Sequence, residues 1–468
     1  MTHPTALLDA APALFPGLDL GDARRDRRFR TVAQSIADNP GASLPQLFPR
    51  PADYNACLRP FDAPECSHRN ALDAHAGAAL DAMGRHPGVV QQQHDATVLD
   101  FSGHATPAGD LGPVGHGGNG GGRGWLAHQS LAVDPQDRTV FGLVSQILHV
   151  RDAVPTGETV AARRGRAGRE NLLWQRGLDE IGPTSEGSTW IDVCDRGADV
   201  FEFLQRPQDR RRRFVVRSTR NRALGTGPAG GRAEGLLHDR LRATPTQAGW
   251  DLAVPAKAGK PGRVARPSAA ALPVELRTPH VRKGHHRRES VPASGVRVWE
   301  ANPPAGAEAL EWLLLTSEPV GAPGQLRRVV DWYACQMRIE EFHKVQKGGL
   351  SVEGCQVQSV GKMAAWVAVL SVVAVGLMNL RLAARDLAAA GRPAGEAVPR
   401  AWVEVLSVYQ TGRLMGWTVG QFWVQLARLG GYHKDPGKHP PGWITLWRGW
   451  RTLHPIIRYE NRSRPKMS

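Results

Sequence analysis

The chain has few cysteines, and their arrangement argues against a disulfide framework or a zinc module. Five cysteines are scattered through 468 residues, an odd number without a ladder of regular spacings. Reduced thiols of this kind are typical of a cytoplasmic protein, and we expect that location. The glycine-rich stretch from Gly112 to Gly124 lacks the Lys-Ser/Thr pair of a phosphate-binding loop, so it predicts a flexible hairpin connection.

Long apolar runs are also scarce, and a single one has to be weighed against a membrane span. It reads MAAWVAVLSVVAVGLM from Met363 to Met378, with Lys362 before it and Arg381 just beyond it. A membrane-spanning helix needs about 20 apolar residues, and this run is shorter. We therefore predict a buried core helix and no membrane partner. The first residues carry no basic cluster ahead of their apolar positions, so we expect no signal peptide.

Charge of one sign is in clear excess. The sequence holds 59 Lys and Arg against 44 Asp and Glu, which gives a formal net charge of +15 and a pI of about 10.2. A balance this basic favours a polyanionic partner, because each Lys or Arg placed on a phosphate releases counterions. A solubilising surface or an arginine-favouring genome would give the same excess, and charge alone leaves these alternatives open.

The predicted elements run from helices to strands and back to helices. Residues 1–85 favour short helices, since apolar residues recur at helical spacing and Pro and Gly interrupt them. Three strands follow in GVVQQQHDATVLDFSG, WLAHQSLAVD and VFGLVSQILHV, then a helix in ENLLWQRGLDEIG and a strand in STWIDVC. RFVVRS is a strand, residues 220–310 are a β-rich insertion, EWLLLTSEPV is a buried strand, and the chain from Gly324 is mostly helical.

This order predicts an α/β protein with a mixed sheet flanked by helices, a β-rich insertion, and helical N- and C-terminal domains. The length predicts two or three domains, because 468 residues exceed a single compact core. We place them at residues 1–85, 86–375 and 376–468.

Two aspartates stand at the ends of predicted strands. Asp95 follows an apolar strand and a run of glutamines, and Asp195 ends WIDVC. Carboxylates on neighbouring strands repel each other, and they stay together at little cost only when cations bind between them. The alternative is that each Asp simply forms a turn at the end of its strand.

The segment YACQMRIEEFHKVQKGG carries the strongest pattern. Steps of three, four and seven residues place four polar side chains on one helical face, namely Tyr333, Gln336, Glu340 and Lys347. The two glycines at its end predict the helix terminus. A solvated Glu/Lys stripe is the alternative, but it leaves Tyr333 and the two aspartates unrelated to one another.

With these residues in view, the sequence resembles the DDE transposases of the insertion-sequence-four family, most closely those of the Tn-five type. The matching segments occur in the family's order and cover nearly the whole chain: LGDARR, VCDRGAD, RFVVRS, WLLLTSEPV, RIEEFHK, ARLGGY and ITLWRGW. Residues 220–300 match poorly. The resemblance implies a ribonuclease-H-like catalytic core, which the predicted order of strands and helices also suits.

The resemblance further implies which residues carry the chemistry. The catalytic and metal-binding acids would be Asp95, Asp195 and Glu340, holding two Mg²⁺ ions, or Mn²⁺ in their place. The family's second signature is Tyr, Arg, Glu and Lys at fixed spacing, and here Gln336 stands where Arg is expected. Gln can hydrogen-bond a phosphate oxygen but loses the charge and the forked donor. Arg338 points to the opposite face and is a poor substitute.

The remaining implied contacts are with DNA. Trp312 matches a position that holds a flipped base, although a core tryptophan is the alternative. Arg217, with Arg220 and Arg222 after it, would line the DNA path. The predicted DNA-binding residues are Arg24, Arg25, Arg28, Arg217, Trp312, Tyr333, Gln336 and Lys347.

The implied partners are double-stranded DNA with terminal inverted repeats, target DNA, and a second copy of the chain in a homodimer formed through the C-terminal region. The predicted function is therefore cut-and-paste transposition by a nucleoid-associated cytoplasmic enzyme. Two alternatives stay open: a two-metal nuclease on the same fold, and a DNA-binding protein that Gln336 has left weakened or inactive.

Overall fold

The computed structural model describes most of the chain. The described residues are 10–104, 111–115, 122–152, 156–159, 162, 165–166, 168–225, 235–254, 262–279, 290–357 and 359–463. Parts of the glycine-rich stretch and of the predicted insertion (226–234, 255–261 and 280–289) lie outside the described residues.

The N-terminal part is helical, as predicted. Its helices are α1 (Ala10–Leu14), α2 (Ala23–Asp38), α3 (Leu44–Leu47), α4 (Pro51–Leu58) and α5 (His68–Arg85). Helix α2 begins where the Asp22 carboxylate accepts the Arg24 N–H at 2.7 Å, a typical N-cap. Phe29 on its buried face packs against Phe15 and Phe61, with ring centroids 5.1 and 5.9 Å away. Apolar spacing and a capping carboxylate thus fix helix α2.

A mixed sheet forms the centre of the molecule. Its first strands are β1 (Val89–Asp100), β2 (Gly112–Val114), β3 (Gly122–Val133), β4 (Val140–His149), β5 (Thr189–Cys194) and β6 (Arg213–Arg217). Strand β1 pairs antiparallel with β3 and parallel with β5, while β3 pairs antiparallel with β4, and β5 parallel with β6. The predicted mixed α/β class is confirmed, and this arrangement is consistent with a ribonuclease-H-like fold.

The insertion is β-rich over its described residues, as predicted, and it extends the same sheet. Its strands are β7 (Ala248–Gly249), β8 (Leu252–Val254), β9 (Arg263–Ala265), β10 (Ser268–Arg277) and β11 (Ser290–Trp299), followed by β12 (Glu311–Thr316). The sheet runs β2-β3-β1-β5-β6-β12-β11-β10-β7, with β4 on β3, and β8 pairs with β9 separately. The insertion is therefore a continuation of the central sheet through β12 and β6.

Helices cover the sheet and form the C-terminal part. Those that follow the first sheet strands are α6 (Leu173–Ile181), α7 (Phe201–Leu204), α8 (Arg206–Asp209) and α9 (Leu237–Ala243). After β12 come α10 (Pro323–Cys335), α11 (Met337–Lys344), α12 (Val360–Ala383), α13 (Leu387–Ala390), α14 (Arg400–Thr411), α15 (Val419–Leu429) and α16 (Trp443–Ser463). The predicted helical character beyond Gly324 is confirmed.

Helix α12 contains the apolar run and lies at the centre of the largest core. It is long and apolar enough to cross a membrane, but 94% of its most apolar window is buried inside the protein. It packs against α2, α5 and β4, and the ring centroids of Trp366 and Phe61 are 5.4 Å apart. The predicted core helix is confirmed, and it is longer than its apolar run. The predicted domain boundary at residue 375 falls inside this continuous helix.

Three parts of the chain meet at one glycine after α11. A Cβ on Gly349 would lie 2.2 Å from the Trp447 ring of α16, and a Cβ on Gly41 would lie 2.5 Å from the Gly349 carbonyl oxygen. Gly41 also has φ +80°, which disfavours other residues. Three regions are therefore in close contact here. The backbone at Gly41 packs against the backbone at Gly349, and Gly349 packs against the Trp447 ring of α16.

Candidate active site

The strand register places Asp95 and Asp195 side by side. Strands β1 and β5 are parallel neighbours, and His94 of β1 is paired with Cys194 of β5. The residue that follows each member of this pair is an aspartate, Asp95 and Asp195. The Asp95 Oδ1 accepts the Ala96 N–H at 2.8 Å, and the Asp195 Oδ1 accepts the Gly197 N–H at 2.9 Å. Asp195 directly follows the end of β5, as predicted, but the prediction that Asp95 ends a strand is wrong, because β1 continues to pair with β3 as far as Asp100. The two acids lie where the pairing between β1 and β5 ends.

A glutamine from β1 brings the third acid to the same place. The Gln93 Oε1 accepts the Ile339 N–H at 3.1 Å, and its Nε2 donates to the Cys335 carbonyl at 2.9 Å. Gln93 is fully buried, so these bonds replace its contacts with water. They hold the junction of α10 and α11 against β1, and Glu340 on α11 is exposed beside the strand.

The three carboxylates act on one another electrostatically. Burial, with the charges of Asp195 and Glu340, raises the pKa of Asp95 to about 7. Burial also raises the pKa of Asp195; Glu340 adds to the rise, while Arg196 and Arg217 oppose it. The site therefore concentrates negative charge that a cation would relieve.

The donor set fits a hard divalent cation by its chemistry. Carboxylate oxygens are the ligands that Mg²⁺ prefers, and burial is the main cause of the raised pKa values of Asp95 and Asp195, which a bound cation would lower. Within the described residues, no three His, Cys, Asp or Glu side chains converge on one point as a ready-made metal site. Coordination by all three acids would thus need side-chain rotation, most simply of the exposed Glu340.

The predicted single helix carrying the signature residues is interrupted. Helix α10 ends at Cys335, Gln336 forms the junction, and α11 passes into a π-helical turn at Val345–Gly349. Lys347 lies in that turn, where its Nζ donates to the Val98 carbonyl at 2.8 Å and pairs with Glu353 at 3.0 Å. The expectation of one uninterrupted helical face is corrected, because a π-turn changes the angular step between residues.

Tyr333 joins Trp312 and Arg217 in one cluster beside Asp195. The Trp312 and Tyr333 rings meet edge to face with centroids 5.2 Å apart, and Arg217 hydrogen-bonds the Tyr333 side chain. Burial raises the pKa of the Tyr333 hydroxyl, with Arg217 acting against the rise. Arg217 also acts on Asp195. Trp312 is half-buried, so an aromatic surface lies next to the carboxylates.

The predicted end-binding arginines divide into two kinds. Arg24 and Arg28 are exposed on α2. Arg25 is held within the protein, since its Nη1 pairs with Glu65 at 2.8 Å and also donates to the Leu20 carbonyl. The structure therefore leaves Arg24 and Arg28 accessible on one side of the helix and engages Arg25 with its own chain.

Arg222, which the sequence placed along a DNA path with Arg217 and Arg220, is engaged inside the protein. Its guanidinium binds Asp199 through both the carboxylate and the backbone carbonyl, and the two side chains are almost completely buried. A DNA contact by Arg222 is therefore wrong as a prediction, because the side chain already satisfies a buried charge.

The sequence analysis did not identify two residues that lie near the acids. Gln93 holds the α10–α11 junction, and His343 Nδ1 lies 3.7 Å from the Asp95 Oδ2. Burial, with the charge of Lys347, lowers the pKa of His343 to about 3, so its imidazole is neutral at pH 7. The glutamine run in a buried strand was the available signal for Gln93, since buried polar side chains need partners.

A comparison with known families bears on the N-terminal part. The family model described as transposase DNA-binding matches residues 9–66, which include α1 to α4. This match supports a transposase, and it supports DNA as a partner of the chain. Arg24, Arg25 and Arg28 all lie within the matched segment.

Proposed function

We propose that the chain is a DDE transposase that performs cut-and-paste transposition by two-metal phosphoryl transfer. The observation that carries the proposal is the β1/β5 register, which sets Asp95 beside Asp195 with Glu340 close enough to raise the Asp95 pKa. The transposase DNA-binding match at residues 9–66 and the motif resemblance to the insertion-sequence-four family support it.

In this proposal Asp95, Asp195 and Glu340 hold two Mg²⁺ ions, or Mn²⁺. When bound, the ions supply a lowered pKa for the attacking water or 3′-hydroxyl and stabilise the leaving oxygen. The carboxylates fix the position of the reacting phosphate between β1, β5 and α11. One such site serves end nicking, hairpin formation, hairpin opening and strand transfer, because each is an in-line displacement at phosphorus.

The neighbouring residues bind and orient the DNA strand. Arg217 brings a guanidinium beside Asp195, where it can bind a phosphate oxygen, and Tyr333 is held by Arg217. The half-buried Trp312 offers a ring on which an extruded base stacks at the hairpin step. Gln336 and Lys347 complete the signature. For Lys347 to reach DNA, its bonds to Val98 and Glu353 must be exchanged for a phosphate.

The proposed substrate is double-stranded DNA bearing terminal inverted repeats, with target DNA as the acceptor. Arg24, Arg25 and Arg28 recognise the end, and of these Arg25 must leave Glu65 to do so. Two copies of the chain act together as a homodimer through the C-terminal region, because both ends are cut in one complex. The site of action is the nucleoid in the cytoplasm.

The test is a cleavage assay with an active-site control. The purified chain is incubated with Mg²⁺ and labelled DNA carrying the inverted repeats that flank its gene, beside a Glu340→Gln variant. We expect hairpin-ended products from the parent and none from the variant, with repeat binding within a few-fold of each other. Unselective degradation by the parent would reject transposition in favour of a nuclease.

A second candidate is a DNA-binding protein without cleavage activity. Gln336 favours it, because an amide replaces the charged, forked donor expected at this position. This candidate is preferred if the parent and the Glu340→Gln variant bind repeat DNA equally and neither cleaves it with Mg²⁺ or Mn²⁺.

A further inference from the structure

Four arginines from three elements come together on the side of α11 that faces away from Glu340. We call Arg138, Arg338, Arg381 and Arg385 the arginine cluster. Arg338 on α11 pairs with Glu341 at 2.5 Å, and Arg381 near the end of α12 binds the same carboxylate. Arg381 and Arg385 both donate to the Pro441 carbonyl, at 3.4 and 3.3 Å. Arg138 lies in the turn between β3 and β4, and its charge acts on Arg338 and Arg385.

Two arginines of the cluster, Arg338 and Arg381, share the Glu341 carboxylate, while Asp137 and Asp386 flank Arg138 and Arg385 along the chain. Arg385 is exposed but partly desolvated by its neighbours, which lowers its pKa, and the charges of Arg338 and Arg138 lower it further. Glu341 is shared between two of the arginines and also accepts the Trp443 indole N–H at 2.7 Å. Asp134 lies nearby, but it is mostly buried and 3.3 Å from the His86 Nε2.

The backbone at Arg138 adopts a left-handed conformation. Its φ is +67°, a left-handed conformation that favours glycine, and its N–H donates to the Asp134 carbonyl at 2.9 Å. An arginine at this position strains the turn and adds a like charge to a basic group. Both effects cost stability, and because Arg211 and Ser351 also have positive φ, the like charge beside Arg338 and Arg385 is the feature particular to Arg138.

We propose that the arginine cluster binds a phosphate group of the DNA backbone, at a site separated from the carboxylates by helix α11. Guanidinium groups match phosphate oxygens with paired hydrogen bonds. Arg138 and Arg385 are exposed and accessible to a ligand, whereas Arg338 and Arg381 are largely buried behind them.

The surroundings favour an extended polyanion over a small free phosphate. The Pro441 carbonyl that the cluster binds belongs to a loop with Lys434 and Lys438, both exposed. A duplex that crosses the cluster would meet these lysines as well, and each neutralised phosphate adds to counterion release. The inference rests on the proposed function in taking DNA as the ligand.

The test compares two substitutions that each replace an exposed arginine of positive φ by glycine, one inside the arginine cluster and one outside it. Arg138→Gly removes one charge from the cluster and relieves the positive φ. Arg211→Gly is the matched control, since Arg211 is also exposed with φ +54° but lies just before β6, at the strand ends opposite the carboxylates. Duplex affinity is measured by fluorescence anisotropy at several KCl concentrations, and melting temperature is measured without DNA.

We expect Arg138→Gly to weaken duplex binding by about 5- to 10-fold near 0.1 M salt and to reduce the slope of log K against log salt by about 0.9. Its melting temperature stays equal to the parent's or rises. The Arg211→Gly control keeps the parent's affinity and slope. Equal affinity and slope for the two variants would overturn the proposal, as would a lower melting temperature for Arg138→Gly with unchanged binding.

A second variant and a second ligand separate the source of the phosphate. Arg385→Gln should weaken duplex binding as Arg138→Gly does. If pyrophosphate raises the parent's melting temperature and either substitution abolishes that rise while duplex affinity is unchanged, the cluster is a small-anion site and the DNA assignment fails. Parental cleavage of repeat DNA is scored separately, so failure of the arginine cluster and failure of the transposase proposal give different results.

Discussion

Two groups of charged side chains lie next to each other around strands β1 and β5 and behave in opposite ways. His94, Asp192 and Arg212 form a network in which all three side chains are fully buried, with His94 Nε2 2.8 Å from the Asp192 carboxylate and Arg212 Nε at 2.9 Å. Asp95 and Asp195, one and three residues further along the chain, face Glu340 and one another. The first group is balanced by opposite charge, and the second is not.

The pKa values express the same difference. Burial pushes the pKa of Asp192 upward, but Arg212 and His94 outweigh it and hold the pKa below its usual value. Burial raises the pKa of Asp195, and its neighbours do not cancel the rise. Paired buried charge stabilises the join of β1, β5 and β6, whereas the unpaired carboxylates next to it are suited to bind a ligand.

The difference between the two groups is tested most directly by neutralising one acid in each. Asp192→Asn leaves the buried Arg212 without its carboxylate, so we expect the free energy of unfolding to fall by about 3–5 kcal/mol. Asp195→Asn should lower the cleavage rate by about 1000-fold, roughly 4 kcal/mol of barrier, with unchanged or greater stability. Denaturant unfolding and single-turnover cleavage measure the two effects. A large loss of stability in Asp195→Asn would show that both groups are structural.

The pH dependence of stability separates the groups at a smaller scale. Because the pKa of Asp95 is raised to about 7 in the folded protein, ionisation there opposes folding. The cost is absent below the unfolded pKa of about 4, grows as pH rises, and is complete above pH 7. We expect Asp95→Asn to melt at a higher temperature than the parent at pH 8 without divalent metal, and at the same temperature near pH 4.

Adding Mg²⁺ at pH 8 is the control for that measurement. The cation should raise the melting temperature of the parent and leave Asp95→Asn nearly unchanged, because the variant has lost one ligand oxygen and the repulsion that the cation relieves. A parent whose stability is independent of pH between 4 and 8 would contradict the raised pKa.

The smallest expected effect concerns the departure from the family signature. Gln336→Arg restores a charged donor at the α10–α11 junction, and we expect cleavage of repeat DNA to increase about 3- to 10-fold. Gln336→Met removes the hydrogen-bonding group and should lower the rate. Identical rates for the three proteins would show that this position does not contact the DNA strand.

Much of the sheet could be predicted from the sequence, because its strands are marked by period and by turn residues. Asp195 was placed at a strand end by this means, whereas the end predicted at Asp95 was wrong because the long-range pairing with β3 carries β1 on to Asp100. The neighbouring register of the two acids follows from parallel pairing. The extension of the sheet by the insertion could not be predicted, since the pairing of β12 with β6 is a long-range contact. The interruption at Gln336 also left no local signal, because it depends on hydrogen bonds to Gln93.

The predicted roles of the basic residues were the least secure part of the site. The sequence alone does not distinguish an arginine that faces solvent from one that pairs with a buried carboxylate. Arg24 and Arg28 stay accessible, while Arg25 and Arg222 are engaged by Glu65 and Asp199. Those partners lie tens of positions away along the chain in Arg25 and Arg222 alike, so spacing on a helix or strand could not reveal them.

The close contact of Gly41, Gly349 and Trp447 has a consequence for the distance between the proposed DNA-binding helix and the proposed catalytic residues. Helix α2, which carries Arg24 and Arg28, belongs to the same core as α12, and Gly349 follows the helix of Glu340 by a few residues. The proposed DNA-binding helix α2 and the proposed catalytic helix α11 are therefore joined through tightly packed backbone. In the proposed transposase this packing would fix the distance between the recognised DNA sequence and the cleaved bond, and a bulkier residue at Gly349 would change that distance.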